Sequence, residues 1–92
     1  MASSKSVITV VGKDQVGIIA RICTFLSENN VNILDISQTI VDGFFNMMMI
    51  VDTSAIDKEF LILSDELESL GKEIGVIVKL QREEIFSLMQ RV

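Results

Sequence analysis

The dipeptide Asp42-Gly43 separates two strand-like runs, VNILDISQTIV over residues 31–41 and FFNMMMIVD directly after it. An Asp-Gly pair tolerates positive φ at both positions, which a two-residue turn needs if it is to match the right-handed twist of the strands it joins. The runs are therefore expected to pair as an antiparallel hairpin. In the first, Leu34, Ile36 and Ile40 fall on one face and Asp35, Ser37 and Thr39 on the other, the pattern of a half-buried strand. In the second, Met47, Met48 and Met49 point alternately to opposite faces, so their thioethers cannot converge on a copper(I) ion. Adaptable packing in a core and an interface is the better account of the three methionines.

A lone hairpin is marginal in water and has to bury a face against something else. The flanking sequence supplies it. VITVV over 7–11 is β-branched and short, as a buried strand should be. Asp14 is placed to cap a helix starting at Gln15, in which Ile18, Ile19, Ile22, Phe25 and Leu26 recur at helical spacing until Asn29 and Asn30 close it. After the hairpin, Phe60, Leu63, Leu67, Leu70 and Ile74 form a second apolar stripe with Gly75 as its stop, and Gly71 inside it costs about 1 kcal/mol against alanine. VIVKLQ over 76–81 is a last strand, and in residues 82–92 Ile85, Phe86, Met89 and Val92 are spaced for a short amphipathic helix.

The order β-α-β-β-α-β defines an α+β, ferredoxin-like fold: a four-stranded antiparallel sheet with two helices on one face, plus the short C-terminal helix. Residues 1–92 read as a single domain, with a 7–81 core and an 82–92 helical extension.

Composition narrows what such a domain can do. The charge balance is 8 basic against 13 acidic residues, net −5, which repels phosphate backbones and anionic membrane surfaces. The central strands offer Thr9, Asp35, Ser37 and Thr39 where an RNA-binding sheet would display aromatic and basic residues, and tyrosine and tryptophan are absent. Neither nucleic acid nor membrane is an expected partner. With no histidine and one cysteine, Cys23, the chain lacks the means for imidazole-based or paired-thiolate metal sites, and no cofactor is expected. No apolar run approaches the roughly 20 residues that span a bilayer, so a cytoplasmic protein is expected. Since 49% of its residues are hydrophobic, an ample supply for so small a domain, some apolar surface is expected to meet a second chain.

The segment VVGKDQVGII, over residues 10–19, carries the most specific pattern. Its glycine spacing matches half of a phosphate-binding loop, but the lysine and hydroxyl that should follow the second glycine are missing, and it lacks the G-x-G-x-x-G of dinucleotide sites. An acylphosphatase-like site would need an arginine where the loop offers only Lys13. Nucleophilic catalysis would need a base beside serine or cysteine, with only carboxylates and lysines to supply it, so no enzyme is expected. Spacing alone leaves Gly12 and Gly17 two roles, tight turning with close packing or admission of a ligand.

With the element order in place, VITVVGKDQVGIIARI, ENNVNILDIS and FFNMMMIVD together resemble an ACT domain, the small regulatory module that binds amino acids in many metabolic enzymes. The resemblance runs from residue 7 to about 81. NILDISQTIVDGFF is especially similar to the short stand-alone ACT proteins of bacteria and archaea, which are related to the ACT regions of glycine-cleavage regulators and formyltetrahydrofolate deformylases. The resemblance implies a homodimer and an amino-acid effector bound where the first loop, with Gly12, Lys13, Asp14, Gln15 and Gly17, meets Asn32 across or beside the subunit interface. Asp14 and Gly17 occupy the D/N-x-x-G positions and Asn32 the V-N-I asparagine, while Val16 stands where the family usually has proline. It also implies a regulated metabolic protein as a partner; the alternative is a ligand-free interaction module acting on another protein.

Overall fold

The computed structural model describes residues 5–13 and 16–84. Asp42 and Gly43 turn at φ 53 and φ 81, both positive, and return the chain from β2 (Asn32–Val41) into β3 (Phe44–Asp52) with Val41 opposite Phe44. This is the expected hairpin. Around it the order is β1 (Lys5–Lys13), α1 (Ile18–Glu28), β2, β3, α2 (Phe60–Ile74) and β4 (Val76–Arg82), and the antiparallel sheet runs β2-β3-β1-β4. The ferredoxin-like reading holds.

The apolar core follows from strand alternation. On β1, Ile8 lies between Met49 and Leu80 and Val10 between Met47 and Val78, all buried on the helix side. Above them sit Ile18, Ile22 and Leu26 of α1 with Leu63 and Leu67 of α2. Each such side chain contributes about 1.5–3 kcal/mol by leaving water. Met47 and Met49 join this core while Met48 faces the other way and is exposed, so the methionine run divides as its strand position requires.

α2 is pressed onto β4. Arg82 lies 4.2 Å above the Phe60 ring, joining the end of β4 to the start of α2, and Arg21 of α1 reaches Glu73 of α2 at 2.5 Å. Both partners of that ion pair are exposed, so it adds at most about 1 kcal/mol. Gly75 at φ 84 ends α2 as the sequence predicts.

Two readings need correction. The first helix begins at Ile18, not Gln15: Gly17 occupies the cap position at φ 93 with no side-chain cap, and the Arg21 N–H makes the first helical bond to the Gly17 carbonyl. Asp14 therefore cannot be the cap residue; it and Gln15 lie outside the described residues. A left-handed glycine immediately before Ile18 sets the start of the helix later than the aspartate signal indicates.

The second concerns β2. A bulge between Ile33 and Asp35 makes Leu34 the extra residue, so Ile33, opposite Val51, is the side chain that packs on the core, while Leu34 is 46% exposed. Ile36 and Ile40 face the helix side, paired with the buried Met49 and Phe45, yet remain 43% and 59% exposed. Along most of β2, then, both sheet faces are exposed. The C-terminal helix is anticipated over residues 82–92; Arg82 instead ends β4, Glu83 and Glu84 are helical, and residues 85–92 lie outside the described residues.

Candidate functional site

Gly12 closes the helix-side column of β1 opposite Val76 of β4, so near that a Cβ at position 12 would stand 2.7 Å from Val76 Cγ1. It is a close-packing glycine. Gly17 differs: nothing lies within 4 Å of where its Cβ would be, and its φ of 93 is what requires glycine. Both thus have structural reasons to be glycine that are independent of any ligand. Lys13 ends β1, exposed and opposite Phe44.

The chain then turns through Val16 and Gly17 into α1. Among the described residues no side chain caps this end of the helix. The N–H groups of the first turn have no helical acceptor, and they carry the positive end of the helix dipole, an arrangement suited to a carboxylate.

Asn32 is not there. It is the first residue of β2 and pairs with Asp52, which in turn pairs with Lys5 at the start of β1. Lys13 and Lys5 are eight strand steps apart, roughly 26 Å at about 3.3 Å per residue. The described part of the loop and Asn32 therefore lie at opposite ends of the sheet within one chain. A site "beside" the interface, built from both in a single chain, is excluded by this register; only a second chain can bring them together.

At its own end Asn32 borders a cleft of about 510 Å³ between the end of α1, the start of β2 and the segment after β3. Cys23 and Ser27, one helical turn apart, supply one wall, Asn30 and Asn32 the rim, and Val31, Ile33 and Ala55 the rest. Asn30 is held at φ 60 just past the end of the helix. Sequence reading missed this cleft; the available signal was the pair Cys23 and Ser27 at i, i+4 on one flank of α1, followed after two intervening residues by the Asn-Val-Asn run of residues 30–32. A separate groove between the two helices is lined by Asp65, Glu66 and Glu73 with Phe25, and Glu66 and Glu73 are paired there with Lys58 and Arg21.

Asp52 has its carboxyl held below its ordinary value of 3.8, chiefly because the Ser54 N–H donates to it at 2.8 Å and secondarily through the Ser54 side chain and nearby Lys5. This stabilises the turn after β3 that carries Ala55. Among the described residues no group of three histidine, cysteine or carboxylate side chains is placed to hold a metal ion. No helix among them is long and apolar enough to cross a membrane.

A βαββαβ order with a four-stranded antiparallel sheet and two helices is the architecture of ACT domains. The chain belongs to the ACT domain family, whose model matches residues 5–81. The UPF0237 protein of Bifidobacterium longum is 62% identical to it over 89 residues, covering 97% of this chain and 99% of that protein. The ACT domain protein from Streptococcus pneumoniae superposes with a TM-score of 0.81 at 40% identity, covering 92% of this chain and 96% of that one. A formyltetrahydrofolate deformylase from Pseudomonas syringae shares the fold at a TM-score of 0.78 and 17% identity, over 88% of this chain and 28% of the deformylase.

Proposed function

We propose that the protein is a homodimeric regulatory module that senses a free amino acid at a site shared between two chains. The observation that carries this reading is the state of β2: an outer sheet strand whose helix-side Ile36 and Ile40 are left 43% and 59% exposed by the chain's own helices. An outer strand offers unpaired N–H and C=O groups to another strand. Antiparallel pairing of β2 with a second copy about Gln38 sets Ile36 opposite the partner's Ile40, and Ile40 opposite the partner's Ile36, on the helix side. The same register places Asp35 opposite the partner's Val41, so the carboxylates do not confront each other.

This pairing also runs the two α1 helices in opposite directions. Asn32 of one chain comes to the height of the partner's Lys13 and the loop beyond it. An amino acid suits the gap: its carboxylate faces the free N–H groups at the partner's first helical turn, and its ammonium the negative end of α1 beside Asn32. Asp14, Gln15 and Lys13 belong to the loop end of the site, with Gly12 and Gly17 shaping it. The protein is a sensor rather than an enzyme, acts in the cytoplasm, and passes ligand occupancy to a metabolic protein.

The test is a thermal-shift screen of the twenty amino acids, followed by titration calorimetry with the one that raises Tm most. Asn32→Ala should weaken that amino acid roughly tenfold or more, about 1.4 kcal/mol. Equal affinity in parent and variant places the site elsewhere. No binding by any of the twenty favours a ligand-free interaction module instead.

A further inference from the structure

Resting on the amino-acid reading above, we infer that the cleft bounded by Cys23, Ser27, Asn30 and Asn32 receives the effector's side chain, and that it selects a short, uncharged, hydrogen-bonding one: a carboxamide or a hydroxyl.

The lining sets the class. Among the described residues no carboxylate, ammonium or guanidinium borders the cleft. A charged side chain placed there would meet no counter-ion among these residues, whereas a neutral hydrogen-bonding group would meet matching partners. The Asn30 and Asn32 amides each donate and accept, and the Ser27 hydroxyl does both as well, so the partner that uses them fully must itself donate and accept. A carboxamide or hydroxyl does so. A purely aliphatic side chain would gain no hydrogen bond from these exposed groups, whereas Ile33 and Ala55 offer apolar surface for one or two methylenes on the way in.

The two ends of the zwitterion do not compete for this cleft. They are charged and are drawn to the helix termini, which leaves selection among amino acids to the side chain. Specificity then rests on α1 and the start of β2, not on the glycine loop.

Isosteric pairs isolate charge from shape. Calorimetry of the parent protein with asparagine against aspartate, and glutamine against glutamate, should show the amide at least tenfold tighter in each pair, with leucine weaker than either amide. Ser27 is exposed and lies in the last turn of α1, where a cation suits the helix, so Ser27→Lys should fold. It should move the amide-to-acid preference at least tenfold toward the acid in each pair. Acids that bind the parent as well as their amides, or a preference unchanged in Ser27→Lys, would overturn the inference while leaving the amino-acid site intact. Binding by none of the twenty amino acids would overturn that reading and this inference together.

Discussion

Gly71 of α2 and Val78 of β4 approach so closely that a Cβ built at position 71 would stand 2.8 Å from Val78 Cγ2, and equally 2.8 Å from the Val76 carbonyl oxygen. A glycine inside a helix looks like a defect in the sequence. Here its missing side chain lets the helix settle on the sheet.

Gly71→Ala follows directly. Helix propensity favours alanine by about 1 kcal/mol, but forcing a methyl group into a packed contact costs about 1–3 kcal/mol, and a backbone oxygen cannot yield by changing rotamer. We expect a net loss of up to about 2 kcal/mol in urea unfolding. A gain in stability would mean that α2 can lift from β4 without cost.

Asp52 predicts an acid limb. Its folded carboxyl titrates below its ordinary 3.8, so near and below that pH the unfolded chain binds more protons than the folded one. The stability it contributes is therefore present above about pH 4 and is lost as pH falls through the lower, folded value. Asp52→Asn should flatten that part of a stability profile measured between about pH 6 and pH 2. A profile as steep as the parent's would assign the acid sensitivity to other carboxylates.

Ile40→Lys separates folding from association. The side chain is 59% exposed in a single chain, so the change should alter monomer stability by no more than about 0.5 kcal/mol. In the proposed dimer it places a cation opposite the partner's Ile36. Light scattering should fall from about twice the chain mass to the mass of one chain, with far-ultraviolet circular dichroism unchanged. A dimeric Ile40→Lys would place the interface away from β2.

The fold was legible because its signals are local. Asp42-Gly43 announces its turn, and the apolar steps from Phe60 to Ile74 belong to one helix. What escaped sequence reading depends on contacts distant in the chain. The bulge that exchanges Leu34 for Ile33 arises from pairing with β3, and nothing in NILDIS marks it. The closeness of Gly12 to Val76 and of Gly71 to Val78 exists only once the layers meet. The resemblance singles out the loop and Asn32 together, but sequence carries no distance. Only the strand register reveals that they lie at opposite ends of the sheet.

Mixing two defective variants tests the shared site most directly. Asn32→Ala removes one end of each site; Gly17→Val, whose β-branched side chain cannot comfortably hold φ 93, distorts the other. Each alone should bind the amino acid that most raises the parent's Tm roughly tenfold or more weakly than the parent does. If sites form between chains, a mixed dimer carries both lesions in one site and leaves the other intact. After the two variants are unfolded together and refolded in equal amounts, calorimetry should then recover parental affinity at about one quarter of the parental number of sites, as random pairing of a two-fold dimer requires. A mixture that binds no better than either variant alone, although mass measurements show that mixed dimers have formed, would contradict a site built from two chains.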